Sequence, residues 1–171
     1  HTNCQGVVGT VMTNLGVEHA FQELGIPFFR ASVGDRNVIE LMKEKNCKFG
    51  GENSGHIVCS DLNTTGDGII SSLQVVAAIV KSGVTLSSLV SSIKKVPQHM
   101  VNVRVSKSFD FEHKTIKQAI LESEKKLKSK GRLLVRPSGT EPVIRIMAES
   151  PDEVMVVTEI NKLSEIIKNH N

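Results

Sequence analysis

GRLLVRPSGTEPVIRIMAE, residues 131–149, organises the second half of the chain. Two apolar runs, 132–136 and 143–149, flank a turn-rich insert at 137–142, the pattern of two strands joined at a sheet end. In the second run Arg145 alternates with Ile144 and Ile146, so its side chain belongs on the face away from the core. Upstream, residues 99–106 predict a half-buried strand, with Val101, Val103 and Val105 on one face and Asn102 and Arg104 on the other. Ile116, Ala119, Ile120, Ser123 and Leu127 then form one helix face. Ser150-Pro151-Asp152-Glu153 offers a capping box with proline at the first helical position. The buried stripe of that last helix is Val156 or Val157, Ile160, Leu163 and Ile167. The order strand, helix, strand, strand, helix predicts a small α+β domain over residues 97–171, two helices packed on an antiparallel sheet.

The first half reads differently. Residues 6–12 predict a buried strand, and Val17, Ala20, Phe21 and Leu24 an amphipathic helix that stops at Gly25. Pro27 leads into a second strand at 28–33. Asp35 is placed to cap a helix carrying Val38, Ile39, Leu41 and Met42. Residues 49–59 are glycine-rich and predict a loop followed by a strand at 57–59. Ile69, Ile70, Leu73, Val76, Ala77 and Val80 keep helical spacing up to Gly83. Thr85 then caps a short helix bearing Leu86, Leu89, Val90 and Ile93. Residues 94–97 mark a boundary, which leaves residues 1–96 as an α/β domain, a mixed sheet with flanking helices.

Composition narrows the functional classes. The chain has 171 residues, 39% hydrophobic and 23% charged, which are globular values. Its longest nearly apolar stretch, 69–80, is broken by Ser71, Ser72 and Gln74, short of the roughly 20 apolar residues of a membrane span. A charge of +3 without Trp or Tyr argues against nucleic acid. Cys4, Cys47 and Cys59 are odd in number, with neither a CxxC nor a zinc spacing, so free thiols and a cytoplasmic location are expected.

The chemistry concentrates in two loops. In Arg136-Pro137-Ser138-Gly139-Thr140-Glu141-Pro142, Arg136 supplies a bidentate fork for phosphate oxygens, and Ser138 and Thr140 supply hydroxyls. Gly139 lets the backbone approach a ligand, and Arg145 adds charge from the next strand. With Arg132 counted, three arginines face one glutamate, a site for a doubly charged phosphate rather than a plain hairpin turn. No GxxxxGK(S/T) nucleotide loop occurs. Gly50-Gly51-Glu52-Asn53-Ser54-Gly55-His56 offers carboxylate, amide, hydroxyl and imidazole, as a polyol ligand requires; a solvated surface loop fits the same spacing equally well. Ser54 stands one position off a nucleophile elbow, and Cys47, His56 and Cys59 lack a fourth zinc ligand. Arg36, at the end of the second strand, is a possible anion contact. Asp67 is a cap for the next helix.

These segments together resemble the α-D-phosphohexomutases, and within them the bacterial phosphoglucosamine mutases. GVVGTVMTNLG at 6–16, VGDR at 33–36, GGENSGHI at 50–57, NTTGDG at 63–68 and the 131–149 stretch follow one another in that family's order. Asn53 stands where the family's sugar loop usually has Gln. The resemblance implies interconversion of glucosamine 6-phosphate and glucosamine 1-phosphate through a phosphoserine and a bisphosphate, assisted by Mg²⁺, on the route to UDP-N-acetylglucosamine. It implies that Glu52 and Ser54 contact sugar hydroxyls, with His56 near the reacting end as an accessory group. It implies that Arg136, Ser138, Gly139, Thr140 and Arg145 hold the phosphate that is not reacting. The family's phosphoserine and Asp-Gly-Asp-x-Asp-Arg metal loops do not occur in these 171 residues, so no metal ligand or catalytic serine is expected here. A carboxy-terminal part of such an enzyme, inactive by itself and partnered by its own N-terminal domains, is the expectation. A phosphoglucomutase or phosphomannomutase, or a phosphosugar-binding module without chemistry, fits the same loops.

Overall fold

A computed structural model describes residues 5–128 and 130–171. His1 and Cys4 lie outside them. The chain divides into two compact units, the first closing at Lys95 and the second opening at Val96.

The first unit holds strands β1 (Val7–Thr10), β2 (Phe28–Ala31), β3 (Phe49–Gly51) and β4 (Ile57–Cys59) in the order β2-β1-β3-β4. β1 pairs in parallel with β2 and β3, and β3 pairs antiparallel with β4. Helices α1 (Leu15–Glu23), α2 (Asp35–Glu44), α3 (Gly68–Ser82) and α4 (Leu86–Leu89) complete it. Its core is Val8, Ala31, Val38, Met42, Cys47 and Val58. The segment expected to be loop at 49–51 is strand β3, because its glycines serve packing. A Cβ on Gly50 would stand 2.6 Å from Met42 Sδ and 2.9 Å from Val38 Cγ1, so only glycine lets α2 lie this close.

Helix α3 departs from expectation on its surface. Asp67 caps it by accepting from the Ile69 and Ile70 N–H groups, and Gly83 ends it at φ 70°. Yet Ile69, Leu73, Val76 and Val80 are exposed, and Ser71 is its buried residue. Periodicity found the helix but not which face is covered. α2 differs too: its N-cap is Gly34 with no side-chain cap, and Asp35 is the first helical residue. The Asp35 carboxylate is used elsewhere.

In the second unit β5 (Gln98–Arg104), β6 (Arg132–Pro137) and β7 (Val143–Glu149) form an antiparallel sheet in the order β5-β7-β6. Helices α5 (Lys114–Leu127) and α6 (Glu153–Asn169) pack on it through Ile116, Ala119, Leu127, Val156, Ile160, Leu163 and Ile167. Val103 joins this core, whereas Val101 on the edge strand β5 is exposed. The cap of α6 is Asp152, which accepts from Met155 N–H, and Ser150 Oγ accepts from Asp152 N–H. Pro151 therefore precedes the helix and does not open it.

A buried charge on α6 was not foreseen. Glu159, on the core face of α6, is 3% exposed and accepts from Ser123 Oγ at 2.7 Å and Lys126 Nζ at 2.8 Å. Lys126, its own side chain still more than half exposed, is thus the counter-charge of a buried carboxylate. Burial pushes the Glu159 carboxyl up, but hydrogen bonds from Lys126 and Ser123, with the charges of Lys126 and Lys162, hold it below its ordinary value.

Among the described residues no helix is long and apolar enough to cross a membrane. Cys47 and Cys59 are both buried.

Candidate functional site

In the second unit, the β6–β7 register sets Arg136 directly opposite Arg145. Leu133, Val135, Ile144 and Ile146 fill the core from the alternate positions, so both guanidinium groups leave from the sheet's other face. Four residues earlier on β6, Arg132 stands opposite Glu149 and closes on its fully buried carboxylate at 2.6 Å. Arg132 therefore serves Glu149 and does not add to the charge at the hairpin, as had been expected. There the cations are Arg136 and Arg145, with Glu141 3.8 Å from Arg145.

The hairpin is closed by its backbone: Ser138 N–H donates to the Val143 carbonyl at 2.9 Å, and Val143 N–H to the Glu141 carbonyl at 2.8 Å. Its polar side chains are left half-engaged. Ser138 Oγ lies 3.5 Å from Arg145 Nη2, from Thr140 Oγ1 and from Thr140 N. Those distances exceed the roughly 2.7–3.2 Å of a full hydrogen bond, so the donors gather without satisfying one another. Arg145 Nε is buried without a hydrogen-bond partner among the described residues. Thr140 and Gly139 are exposed. A Cβ on Gly139 would meet nothing within 4 Å, and its φ lies outside the left-handed range, so the fold itself does not demand glycine there.

In the first unit, the 52–56 loop turns between β3 and β4. Gly55 N–H donates to the Glu52 carbonyl at 3.1 Å, and Asn53 Nδ2 donates to the Met12 carbonyl at 2.9 Å. The residue that departs from the family's usual Gln thus ties this loop to the end of β1. Glu52 Oε1 accepts from Gly34 N–H at 2.6 Å, and Glu52 Oε2 is 3.4 Å from Ser54 Oγ. Ser54 Oγ is in turn 3.2 Å from His56 Nδ1, which faces Asp35 Oδ1 at 3.1 Å. The structure thus brings Glu52, Ser54 and His56 into one hydrogen-bonded group and adds Asp35, which the sequence reading had assigned to capping. The signal was Asp35's place just after β2 behind a glycine, where a cap and a site residue look alike. Arg36 points elsewhere: its side chain is 89% exposed and pairs with Glu40 along α2 at 2.8 Å.

Asp35, Glu52 and His56 offer three ligand atoms within 4.8 Å of one another. They do not fit Mg²⁺, which takes octahedral oxygen ligands, because one donor is an imidazole nitrogen already engaged with the Asp35 carboxylate.

Comparison with known proteins matches these two units. Residues 1–96 fit the family model of the phosphoglucomutase/phosphomannomutase alpha/beta/alpha domain III, and residues 100–161 that of its C-terminal domain. The chain belongs to the phosphoglucomutase/phosphomannomutase family. Among relatives, it is 56% identical over 164 residues to phosphoglucosamine mutase of Hahella chejuensis and 50% identical over 166 residues to that of Cellvibrio japonicus. These alignments take in 95% and 96% of the chain but 37% of each relative. Among solved structures it matches N-acetylphosphoglucosamine mutase of Aspergillus fumigatus with a TM-score of 0.79 at 20% identity, over 96% of this chain and 38% of that one. A second structure of that fungal enzyme, with GlcNAc-6P and magnesium, matches at a TM-score of 0.74 and 20% identity, over 94% and 40%. At such identities the likeness is one of fold.

Proposed function

We propose that this chain supplies hexosamine-phosphate recognition to a phosphoglucosamine mutase, which interconverts glucosamine 6-phosphate and glucosamine 1-phosphate. The observation that carries the reading is the pair Arg136 and Arg145, opposite each other beside the Ser138 and Thr140 hydroxyls. Such a cluster suits a dianion: each charge-assisted hydrogen bond contributes about 1.5–3 kcal/mol. Gly139 then has a reason that the fold does not provide, since a bare backbone lets a phosphate reach the amides of the turn.

In this reading Arg136, Ser138, Gly139, Thr140 and Arg145 bind phosphate, while Glu52 and Ser54 take sugar hydroxyls with His56 beside them. Residues 97–171 are the phosphate-binding domain and residues 1–96 the sugar-binding one. The choice of glucosamine is supported by the 56% identity to the Hahella mutase. Phosphoryl transfer depends on holding the substrate and stabilising charge, and gripping the phosphate that does not react is a positioning task. Mg²⁺ would supply charge neutralisation of the transferring phosphoryl group. The Asp35, Glu52 and His56 set does not suit it. Without a phosphoserine loop, the chain alone is expected to turn over no substrate.

The test is titration of the chain with glucosamine 6-phosphate, inorganic phosphate and glucosamine, followed by amide NMR. The amides of Ser138, Gly139 and Thr140 should respond to both phosphate-bearing ligands, and those of 52–56 to the sugar phosphate alone. Glucose and mannose 6-phosphates binding as tightly as glucosamine 6-phosphate would overturn the glucosamine assignment. Silence at 138–140 would overturn the phosphate site.

A further inference from the structure

Asp35 occupies the first position of a ten-residue helix, where a carboxylate ordinarily turns to the free N–H groups of the first turn. It does not cap. Its Oδ1 is buried and makes no hydrogen bond among the described residues, with His56 Nδ1 standing 3.1 Å away. Around these two atoms runs a ring of groups: His56 Nδ1 to Ser54 Oγ at 3.2 Å, Ser54 Oγ to Glu52 Oε2 at 3.4 Å, and Gly34 N–H to Glu52 Oε1 at 2.6 Å.

Donor and acceptor chemistry allows few proton placements. Ionised Asp35 and Glu52 only accept. The Gly34 N–H only donates, and it satisfies one Glu52 oxygen. The Ser54 hydroxyl hydrogen is then best spent on the other Glu52 oxygen, leaving Oγ as an acceptor toward His56. Nδ1 consequently faces two acceptors, Asp35 Oδ1 and Ser54 Oγ, and must itself carry hydrogen. A neutral imidazole protonated at Nδ1 has a bare Nε2.

We infer that Asp35 is a positioning residue that fixes His56 in the Nδ1–H tautomer and so presents Nε2 as a hydrogen-bond acceptor. His56 is more than half exposed, which leaves Nε2 open to a ligand. An acceptor there, beside two carboxylates, suits the hydroxyl or ammonium hydrogens of an amino sugar and disfavours phosphate oxygens, which only accept. The inference rests on the proposed sugar-binding role for the identity of that donor; the tautomer itself does not depend on it.

The experiment is a long-range ¹H–¹⁵N spectrum of the chain carrying ¹⁵N-histidine, recorded at alkaline pH. Wild-type His56 should show a protonated Nδ1 and an unprotonated Nε2. In Asp35→Ala the two resonances should exchange positions, because a solvated imidazole favours Nε2–H, while Ser54→Ala should keep the wild-type pattern. Nε2–H in the wild-type chain, or a pattern unmoved in Asp35→Ala, would overturn the assignment. The wild-type spectrum decides the matter even if Asp35→Ala fails to fold. Added glucosamine 6-phosphate should shift Nε2 and leave Nδ1 protonated. A correct tautomer whose Nε2 ignores the sugar phosphate would leave Asp35's role standing and overturn the sugar reading instead.

Discussion

Arg136 and Arg145 face each other across the β6–β7 ladder, two like charges at directly opposed positions. Cross-strand pairs of the same sign are destabilising, by the same few tenths to about 1 kcal/mol that opposite charges contribute favourably. The same sheet face shows the ordinary solution at Arg132 and Glu149, where opposed residues neutralise each other. An anion held between Arg136 and Arg145, as proposed, would relieve at this end the repulsion that Glu149 relieves at the other.

Arg136→Ala and Arg145→Ala should each weaken glucosamine 6-phosphate binding about 10- to 100-fold, the equivalent of one charge-assisted contact. Neither should lower the urea midpoint, since each removes half of a repulsive pair. Isothermal titration and urea unfolding check the two halves of the expectation. Loss of stability with unchanged affinity would make the arginines structural.

Gly139→Ala isolates the ligand's demand from the fold's. An added Cβ meets no protein atom, so stability should stay within about 0.5 kcal/mol of wild type. Phosphate affinity should nevertheless fall, because the methyl group occupies the approach to the turn amides.

Glu52→Ala should separate sugar from phosphate. It removes the acceptor for Gly34 N–H and the carboxylate beside Ser54, so glucosamine 6-phosphate should bind more weakly while inorganic phosphate binds as before. Equal weakening of both ligands would show that the loop does not discriminate.

Lys126→Ala should destabilise the second unit by about 1–3 kcal/mol, because it leaves the buried Glu159 carboxylate only the Ser123 hydrogen bond and the more distant Lys162 charge. Exposed Lys125 in the same turn should tolerate alanine within about 0.5 kcal/mol. The Glu159 carboxyl lies below its ordinary value of 4.5 in the folded state. Its contribution is therefore complete above that value and is lost as pH falls through the depressed one. Glu159→Gln should flatten the acid limb of stability against pH, measured by thermal unfolding.

Much of this was legible because periodicity is a local property. The faces of α5 and α6 follow from spacing, and Arg145 belongs to the solvent side by simple alternation with Ile144 and Ile146. What escaped depends on partners distant in sequence. β3 reads as a loop because the reason for its glycines, the close approach of α2, lies several residues upstream. Arg132 was counted toward the phosphate until the register gave it Glu149, and no local signal links Lys126 to Glu159, which lies a whole hairpin downstream on α6. Asp35 shows the limit most clearly: only the fold decides whether a carboxylate at a helix start caps that helix or faces His56.

The phosphate site is tested most directly by the Arg136→Ala/Arg145→Ala double variant, titrated with inorganic phosphate while the amides of Ser138, Gly139 and Thr140 are followed. Saturable shifts at these three amides in the wild-type chain, abolished in a double variant that remains folded, are the predicted result. Shifts of equal size and midpoint in both proteins would contradict it.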